Sequence, residues 1–191
     1  VRNAKGRVAG ASGVEVTRGE AEIADFMHHE TLLKLNLQAG GPLGELLKVA
    51  APLAGPARET AMQMRAAGKA DYKLQLELPL SAMDKAKVQA SVALQDNELQ
   101  LTPGTPSFTQ ARGVLSFTDS GFSLANVRAQ LLGGDVRVEG KGRYAGAGHD
   151  MSFRAHGVVT AEGFRSQREF GWLARLARKM SGSTAYQLEY G

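Results

Sequence analysis

Residues 112–139 read RGVLSFTDSGFSLANVRAQLLGGDVRVE, and this stretch decides the predicted fold. Apolar side chains occupy every second position in three short runs: Leu115 and Phe117; Val127, Ala129 and Leu131; Val136 and Val138. A period of two gives each strand one apolar face and one solvated face. Glycine-containing breaks at 119–121 and 133–135 favour tight reversals between antiparallel strands. The stretch therefore predicts a curved β-meander.

The composition limits the classes of function. The 191 residues suffice for one domain or for one module of a larger protein, and 43% of them are hydrophobic. The 23 basic residues face 19 acidic ones, a balance that favours solubility over nucleic-acid binding. The absence of cysteine excludes disulfides, thiol catalysis and cysteine-ligated zinc. No apolar run approaches the roughly 20 residues of a membrane-spanning helix.

The periodicity divides the chain into five segments of one module. Residues 1–39 are predicted to form strands, with a clean alternation at Leu33, Leu35 and Leu37. Residues 42–67 form a helical insertion: Pro42 precedes leucines at helical spacing, and a second helical segment covers 56–67. Such short helices need an apolar surface on which to pack.

Residues 70–160 are predicted to form a β-meander. The alternation from Tyr72 to Leu80 is the most regular in the chain, and Pro79 predicts that this end of the strand lies at a sheet edge or a sheet end. Asp96 and Asn97 are predicted to form a turn, followed by a brief strand. The predicted fold class is thus mainly β with helical insertions (α+β): a curved, largely antiparallel β-sheet or gutter capped by short helices.

Residues 162–181 are predicted to form an amphipathic helix before a final strand at 183–191. Its aromatic and cationic residues are the candidates for contacts at one end of the sheet: Arg165, Arg168, Trp172, Arg175 and Arg178. Two interpretations stand. The helix closes the end of the sheet, or it lies on anionic lipid headgroups or acidic partners. The first is favoured, and the arginines can still contact a headgroup from that position.

Candidate catalytic and metal sites are sparse. Potential metal ligands gather at His28, His29 and Glu30, and at His149, Asp150 and His156. Adjacent residues of a regular strand point to opposite faces, so the His28–His29 pair does not chelate one ion from a strand. No nucleophile elbow, phosphate-binding loop or dinucleotide fingerprint is present. We therefore predict a non-enzymatic protein with no catalytic residue, no metal and no cofactor.

The apolar faces of these strands need a cover, because large apolar patches are rarely bare on soluble monomers. Three arrangements satisfy this need. The sheet folds on itself as a sandwich, the helices cover it, or the face lines a cavity for an apolar ligand. The residues alone leave all three open.

Four stretches carry a resemblance to a known family. They are GGPLGELLKVAAPL from residue 40, GKADYKLQLELPL from residue 68, the long run VQASVALQDNELQLTPGTPSFTQARGVLSFTDSGFSLANVRAQLLGGDVRVEG from residue 88, and VVTAEGFR with the WLARL and MSGSTAY segments after it. In this order they resemble the YhdP family of AsmA-like bacterial envelope proteins, over residues 40–190.

The resemblance implies a fold, a location and a function. Proteins of this family are anchored in the inner membrane of Gram-negative bacteria and extend through the periplasm as a long, twisted β-gutter. An apolar groove in the gutter carries phospholipid toward the outer membrane and supports its permeability barrier. We therefore expect this chain to be an internal segment of a longer polypeptide. Its expected partners are phospholipid acyl chains and neighbouring modules of the same chain, with membrane contact through other parts of the protein.

The alternating residues supply candidates for the groove. The candidate lining is Leu74, Leu76, Leu78, Val92, Leu94, Leu115, Phe117, Leu131, Val136, Val138, Met151 and Phe153. Acyl chains are held by burial, so no specific polar residue is required. The alternative is a scaffold or interaction module of an envelope assembly, with a filled core and no lipid.

Overall fold

The computed structural model describes residues 1–24, 31–51, 58–82, 85–144, 150–166 and 179–191. Within them the chain forms 11 strands and three short helices. The strands are β1 (Ala4–Arg7), β2 (Glu15–Ala24), β3 (Leu32–Pro42), β4 (Arg65–Ala67), β5 (Lys69–Pro79), β6 (Lys87–Gln100), β7 (Phe108–Thr118), β8 (Gly121–Leu131), β9 (Gly134–Arg143), β10 (Asp150–Thr160) and β11 (Ser183–Tyr190). The helices are α1 (Leu43–Ala50), α2 (Arg58–Gln63) and α3 (Ala161–Ser166).

All of these strands belong to one open, curved, antiparallel sheet. The order is β1-β2-β3-β5-β6-β7-β8-β9-β10-β11, and β4 pairs with β6 beside this path. Apart from β4, strands that follow one another along the chain are neighbours in the sheet, and tight turns join β7 to β8 and β8 to β9. Residues 112–139 form most of β7, β8 and β9, with tight turns at the predicted places. The predicted curved antiparallel sheet is confirmed.

The pairing register sorts side chains onto two faces, because directly paired residues point to the same side. One complete row of the apolar face is Val16, Ala39, Tyr72, Val92, Leu115, Leu124, Gly140, Phe153 and Tyr190. A row of the polar face is Arg18, Gln38, Lys73, Ser91, Ser116, Ser123, Lys141 and Ser152. The two faces of this sheet therefore have opposite chemistry.

A hydrophobic core covers part of the apolar face. We call the following residues the core cluster: Ala11, Val14, Leu43, Ala70, Tyr72, Leu94, Ala111, Val127, Ala129 and Val136. The loop between β1 and β2 and helix α1 supply the first three, so they cover the ends of the central strands. The Tyr72 hydroxyl donates to the Gly41 carbonyl over 3.0 Å and fixes this junction. The prediction that a helix begins after Pro42 is confirmed.

Three bulges cross the middle strands side by side. Asp96 in β6, Gln110 in β7 and Asn126 in β8 have φ of 60°, 52° and 53°, and each lies at a shift of register. A bulge bends its strand and increases the local twist. The three together bend the sheet beside the core cluster.

The predicted turn at Asp96 and Asn97 is wrong, because β6 continues through it as a 14-residue strand. Asn97 is fully buried. Its Oδ1 accepts from the Gln95 amide over 2.7 Å, and its Nδ2 donates to the Ala67 carbonyl over 3.0 Å. Asp96 tolerates the left-handed backbone and forms an ion pair with Arg112. The two residues thus build a bulge that holds β4, where sequence alone indicated a reversal.

The predicted helices are shorter than expected. Residues 65–67 form β4 in place of the helix predicted to reach residue 67, because their backbone pairs with β6. Helix α3 is described over Ala161–Ser166, and residues 179–180 are not helical, so the predicted helix to residue 181 is wrong at its end. Residues 167–178 of that helix lie outside the described residues. Pro79 is the last residue of β5, and β5 is an inner strand of the sheet. Pro79 therefore lies at an end of the sheet and not at an edge.

Replacing Asn97 with alanine is expected to destabilise the fold. The change removes two hydrogen bonds and leaves the Ala67 carbonyl without its side-chain donor. We expect a loss of roughly 2–4 kcal/mol in the free energy of unfolding, measured by urea denaturation. Asn36→Ala, on the polar face of β3, is the matched control and is expected to change it by less than about 0.5 kcal/mol. Equal losses in both variants would contradict the role of Asn97.

Burial of Tyr72 is expected to make stability fall at high pH. Burial, followed by the charge of Asp71, raises the pKa of Tyr72 to about 12. The phenol of the unfolded chain ionises near pH 10, so the contribution of neutral Tyr72 is complete below about pH 10 and is lost as the pH rises to about 12. Urea denaturation between about pH 9 and about pH 12 measures the fall. Tyr72→Phe is expected to reduce its slope, and an unchanged slope would contradict this assignment.

Candidate functional site

Part of the apolar face lies outside the core cluster and is called the open half. Its members are Ile23, Leu33, Leu35, Leu37, Leu74, Leu76, Leu78, Val88, Phe117, Phe122, Met151 and Phe153. Most of them are only half-buried, by neighbours on the same face. Ile23 is 50% exposed and Phe117 is 36% exposed. The open half is therefore an apolar surface that solvent reaches.

The register brings all twelve predicted lining residues onto the apolar face. Six of them belong to the core cluster or pack against it, and six lie on the open half. Leu94 and Val136 are buried in the core cluster. Four more pack against it: Val92, Leu115, Leu131 and Val138. The other six lie on the open half: Leu74, Leu76, Leu78, Phe117, Met151 and Phe153. These six lie outside the core cluster and the residues packed against it, and their role in binding stays a prediction.

Sequence reasoning missed several members of the open half. Leu33, Leu35 and Leu37 of β3 pair with the three leucines of β5, and their alternation was visible in the sequence. Phe122 follows directly after the turn at Gly121, where the period of β8 is too short to read. The bulge at Asn126 hides the period further, because it turns Leu124 and Val127 to the same face.

Aromatic rings converge over strand β9. The Phe122 and Phe153 rings stack with centroids 5.8 Å apart, and the Tyr190 ring lies 6.5 Å from that of Phe153. Between them β9 carries only Gly140 and Gly142 on the apolar face. A Cβ at residue 140 would lie 2.5 Å from the Phe153 ring, so the rings rest directly against bare backbone. The glycines make this part of the open half broad and shallow.

Charges are confined to the polar face. No Asp, Glu, Lys or Arg occupies a paired position on the apolar face in the strands that the structure describes. On the polar face, Arg112 donates two hydrogen bonds to Asp96 and lowers the pKa of that carboxyl. Hydrogen bonds from Gln187 and Arg154 lower the pKa of Glu189. In the described strands, the apolar face thus offers chiefly surface for burial.

The other predicted site residues are only partly described. The Arg165 guanidinium donates to the Met180 carbonyl over 3.3 Å, so it links α3 to the segment before β11. Outside the described residues lie Arg168, Trp172, Arg175, Arg178, His28, His29, Glu30 and His149. Asp150 and His156 share the polar face of β10 but stand six residues apart. In the described ranges no three His, Asp or Glu residues gather to hold a metal ion.

The family model described as YhdP protein matches residues 4–189, nearly the whole chain. The chain belongs to the YhdP family. The resemblance read from the sequence motifs is therefore confirmed, and YhdP-family proteins are proteins of the bacterial envelope. No curated protein and no solved structure matched the chain. None of the helices in the described part of this YhdP-family chain has the length and apolar character to cross a membrane.

A methyl group at residue 140 is expected to disturb the aromatic surface. In Gly140→Ala the new Cβ meets the Phe153 ring at 2.5 Å and Leu124 at 3.0 Å, so the ring must lift away from β9. We expect a loss of about 1–3 kcal/mol in the free energy of unfolding, together with a changed near-UV circular dichroism signal. Gly6→Ala is the matched control, because nothing lies within 4 Å of its Cβ position. A silent Gly140→Ala variant would contradict the close approach of the ring.

Proposed function

We propose that this chain is a non-enzymatic module that binds phospholipid acyl chains on its open half and helps to carry them between the inner and outer membranes. The observation that carries the proposal is the continuous apolar face, which has no charged position in the described strands. Membership of a bacterial envelope family supports the same function.

The dimensions of the apolar face suit an acyl chain. On the open half, one paired row crosses eight strands from β2 to β10, and strands lie about 4.8 Å apart, so this row is roughly 34 Å long. Its members are Gly19, Leu37, Leu74, Ala90, Phe117, Phe122, Gly142 and Met151. A bilayer has a hydrocarbon core of about 30 Å, so the row is long enough for extended acyl chains. Each buried methylene contributes about 0.8 kcal/mol, and burial alone can therefore hold a lipid. No polar residue on this face is needed.

An apolar ligand on the open half would also explain why no second layer of structure is described on this part of the sheet. Apolar patches of this kind mark sites of interaction with proteins, membranes or ligands. An occupant whose chemistry is purely aliphatic fits a surface of leucines and phenylalanines with one isoleucine, one valine and one methionine. Bound acyl chains would remove these side chains from water and take the place of a packed layer.

The ends of the sheet support contacts with neighbouring modules of the same polypeptide. Strand β11 forms one edge, and its Leu188 and Tyr190 are 63% and 67% exposed. A long edge strand with exposed apolar side chains is a template for pairing with a further strand. We propose that an adjacent module extends the sheet there and lengthens the apolar row.

The proposed location is the periplasm of a Gram-negative bacterium, within a protein that is anchored in the inner membrane. In that location the module would support the permeability barrier of the outer membrane. The envelope character of the family supports this location. The exclusion of water from acyl chains along the row would make such a path favourable across an aqueous compartment.

A scaffold module is the second candidate, because the core cluster is the kind of packed core that a scaffold requires. Within it, Ala111, Val127 and Val136 are at most 6% exposed. In this reading the open half contacts another protein of an envelope assembly and no lipid. Lipid analysis of the purified chain separates the two candidates.

Charge on the open half is expected to abolish lipid binding. The wild-type chain is expected to co-purify with phospholipid, detected by native mass spectrometry and by lipid analysis of an organic extract. Leu76→Asp and Phe117→Asp put a carboxylate among apolar side chains, and we expect each to reduce bound lipid at least about tenfold. Uptake of a fluorescent fatty acid is expected to fall in parallel.

Matched controls put the same charge on the other face. Gln75→Asp neighbours Leu76 along β5, and Val114→Asp lies on the polar face of β7, where Val114 is 44% exposed. Both are expected to retain lipid, and circular dichroism checks that all four variants fold. Absence of lipid from the wild-type chain, or an equal loss of bound lipid in the variants of both faces, would favour the scaffold function.

A further inference from the structure

A polar depression lies on the face opposite to the open half, where β7 to β10 approach one end of the sheet. Its volume is about 410 Å³. The lining residues are Ser116, Thr118, Ser120, Gly121, Phe122, Ser123, Lys141, Gly142, Arg143, Asp150 and Ser152. Two paired rows form it. One contains Ser116, Ser123, Lys141 and Ser152, and the other contains Thr118, Gly121, Arg143 and Asp150.

Short side chains between long ones create the depression. Serine and glycine keep the surface of the sheet low, while Lys141 and Arg143 rise from β9 beside them. The volume lies in the range of small-molecule sites, about 300–1,000 Å³. The residues that line it are almost all hydrogen-bonding groups, so its natural ligand is polar.

The polar groups of the depression have free capacity. Within the described ranges, the hydroxyls of Ser116, Ser123 and Ser152 make no hydrogen bond to another protein group. Lys141 and Arg143 form no ion pair with a described carboxylate, although Asp150 is the direct partner of Arg143. Elsewhere on the polar face Arg112 and Arg154 are paired with acids. Two cations and three hydroxyls are thus available to one ligand.

This set of groups matches a phosphate ester. A guanidinium and an ammonium bind phosphate oxygens through charge-assisted hydrogen bonds, and serine hydroxyls complete the contacts. The Asp150 carboxylate would oppose a bare phosphate but favour an ammonium group beside it. Phosphoethanolamine carries both groups in one small molecule.

The depression is also close to the open half. Phe122 and Gly142 belong to the apolar face and line the depression as well. Ser123 follows Phe122 at one strand residue, about 3.3 Å along the chain. Only the two-residue turn at Asp119 and Ser120 joins β7 to β8 at this end. A molecule could therefore cross the end of β8 and contact both faces.

We propose that the depression binds the phosphate-bearing headgroup of a molecule of the phosphoethanolamine class. The shared chemistry is a phosphate ester held by Lys141 and Arg143, with an amine facing Asp150. Its source is either a soluble phosphate ester or a phospholipid whose acyl chains lie on the open half, and the second source rests on the function proposed above.

Two probes and two double variants test the proposal on the 191-residue chain. The probes are phosphoethanolamine and dihexanoyl phosphatidylethanolamine below its micelle concentration, with binding measured by phosphorus NMR titration. Lys141→Ala with Arg143→Ala removes the two cations of the depression. Lys34→Ala with Lys73→Ala removes two cations from the polar face of β3 and β5 and is the matched control. Asp150→Asn tests the amine contact.

The expected result is that both probes bind the wild-type chain and the control. We expect the Lys141 and Arg143 variant to bind each probe about tenfold more weakly, since it loses charge-assisted hydrogen bonds. Tighter binding of the lipid probe than of phosphoethanolamine would identify a phospholipid as the source. Equal binding of the two would support a soluble ester. Asp150→Asn is expected to weaken the binding of phosphoethanolamine and to strengthen that of inorganic phosphate, which is titrated in the same way as a comparison ligand.

The proposal is overturned if phosphoethanolamine fails to bind, or if the two double variants bind both probes equally. These failures are distinguishable from failure of the acyl-chain site, because a fluorescent fatty acid reports the open half without a phosphate. Fatty-acid uptake that persists while phosphoethanolamine fails would reject the headgroup site alone. Phosphoethanolamine binding without fatty-acid uptake would retain the site and reject its connection to lipid.

Discussion

In-register pairing between antiparallel strands is the constraint on which this structure depends. Side chains alternate with a period of two, so a slip of one residue would exchange the two faces of a strand. Across the sheet the register keeps aliphatic and aromatic residues on one face and charges on the other. A single layer can then present two surfaces of opposite chemistry, and neither surface requires a residue of unusual reactivity.

The core cluster and the open half occupy different parts of the apolar face, and the row of bulges lies beside the core cluster. Beside Asp96, Gln110 and Asn126 the sheet bends and its side chains join α1 and the loop after β1 in a core. That core supplies the burial that a small fold needs. Away from the bulges the strands run regularly, and their leucines remain available. Most of the buried core and most of the open surface are therefore formed by different residues of each strand.

Much of this arrangement was predictable from sequence, and the remainder has identifiable physical causes. Strict alternation predicted the strands, the antiparallel sheet and the membership of the apolar face, because the period of two is a local property. Burial of Leu94 and Val136 was not predictable, since it depends on which loops pack over the sheet. The bulge at Asp96 and Asn97 could not be distinguished from a turn in the sequence, because one partner of Asn97, the Ala67 carbonyl, lies 30 residues away. The polar depression has no sequence motif, and it exists only because serines of β7, β8 and β10 share a register with Lys141 of β9.

The meander order of the strands has a consequence for how the molecule opens. Each strand contacts chiefly the strands before and after it, so the sheet behaves as a chain of nearest-neighbour units. Such a chain can fray from an end while its middle stays intact. Strands β1 and β11 should therefore exchange their amide hydrogens first, and β7 and β8 last. In a longer sheet of the same kind, an added strand at either end would slow that exchange. Each module would therefore stabilise the end strands of the next.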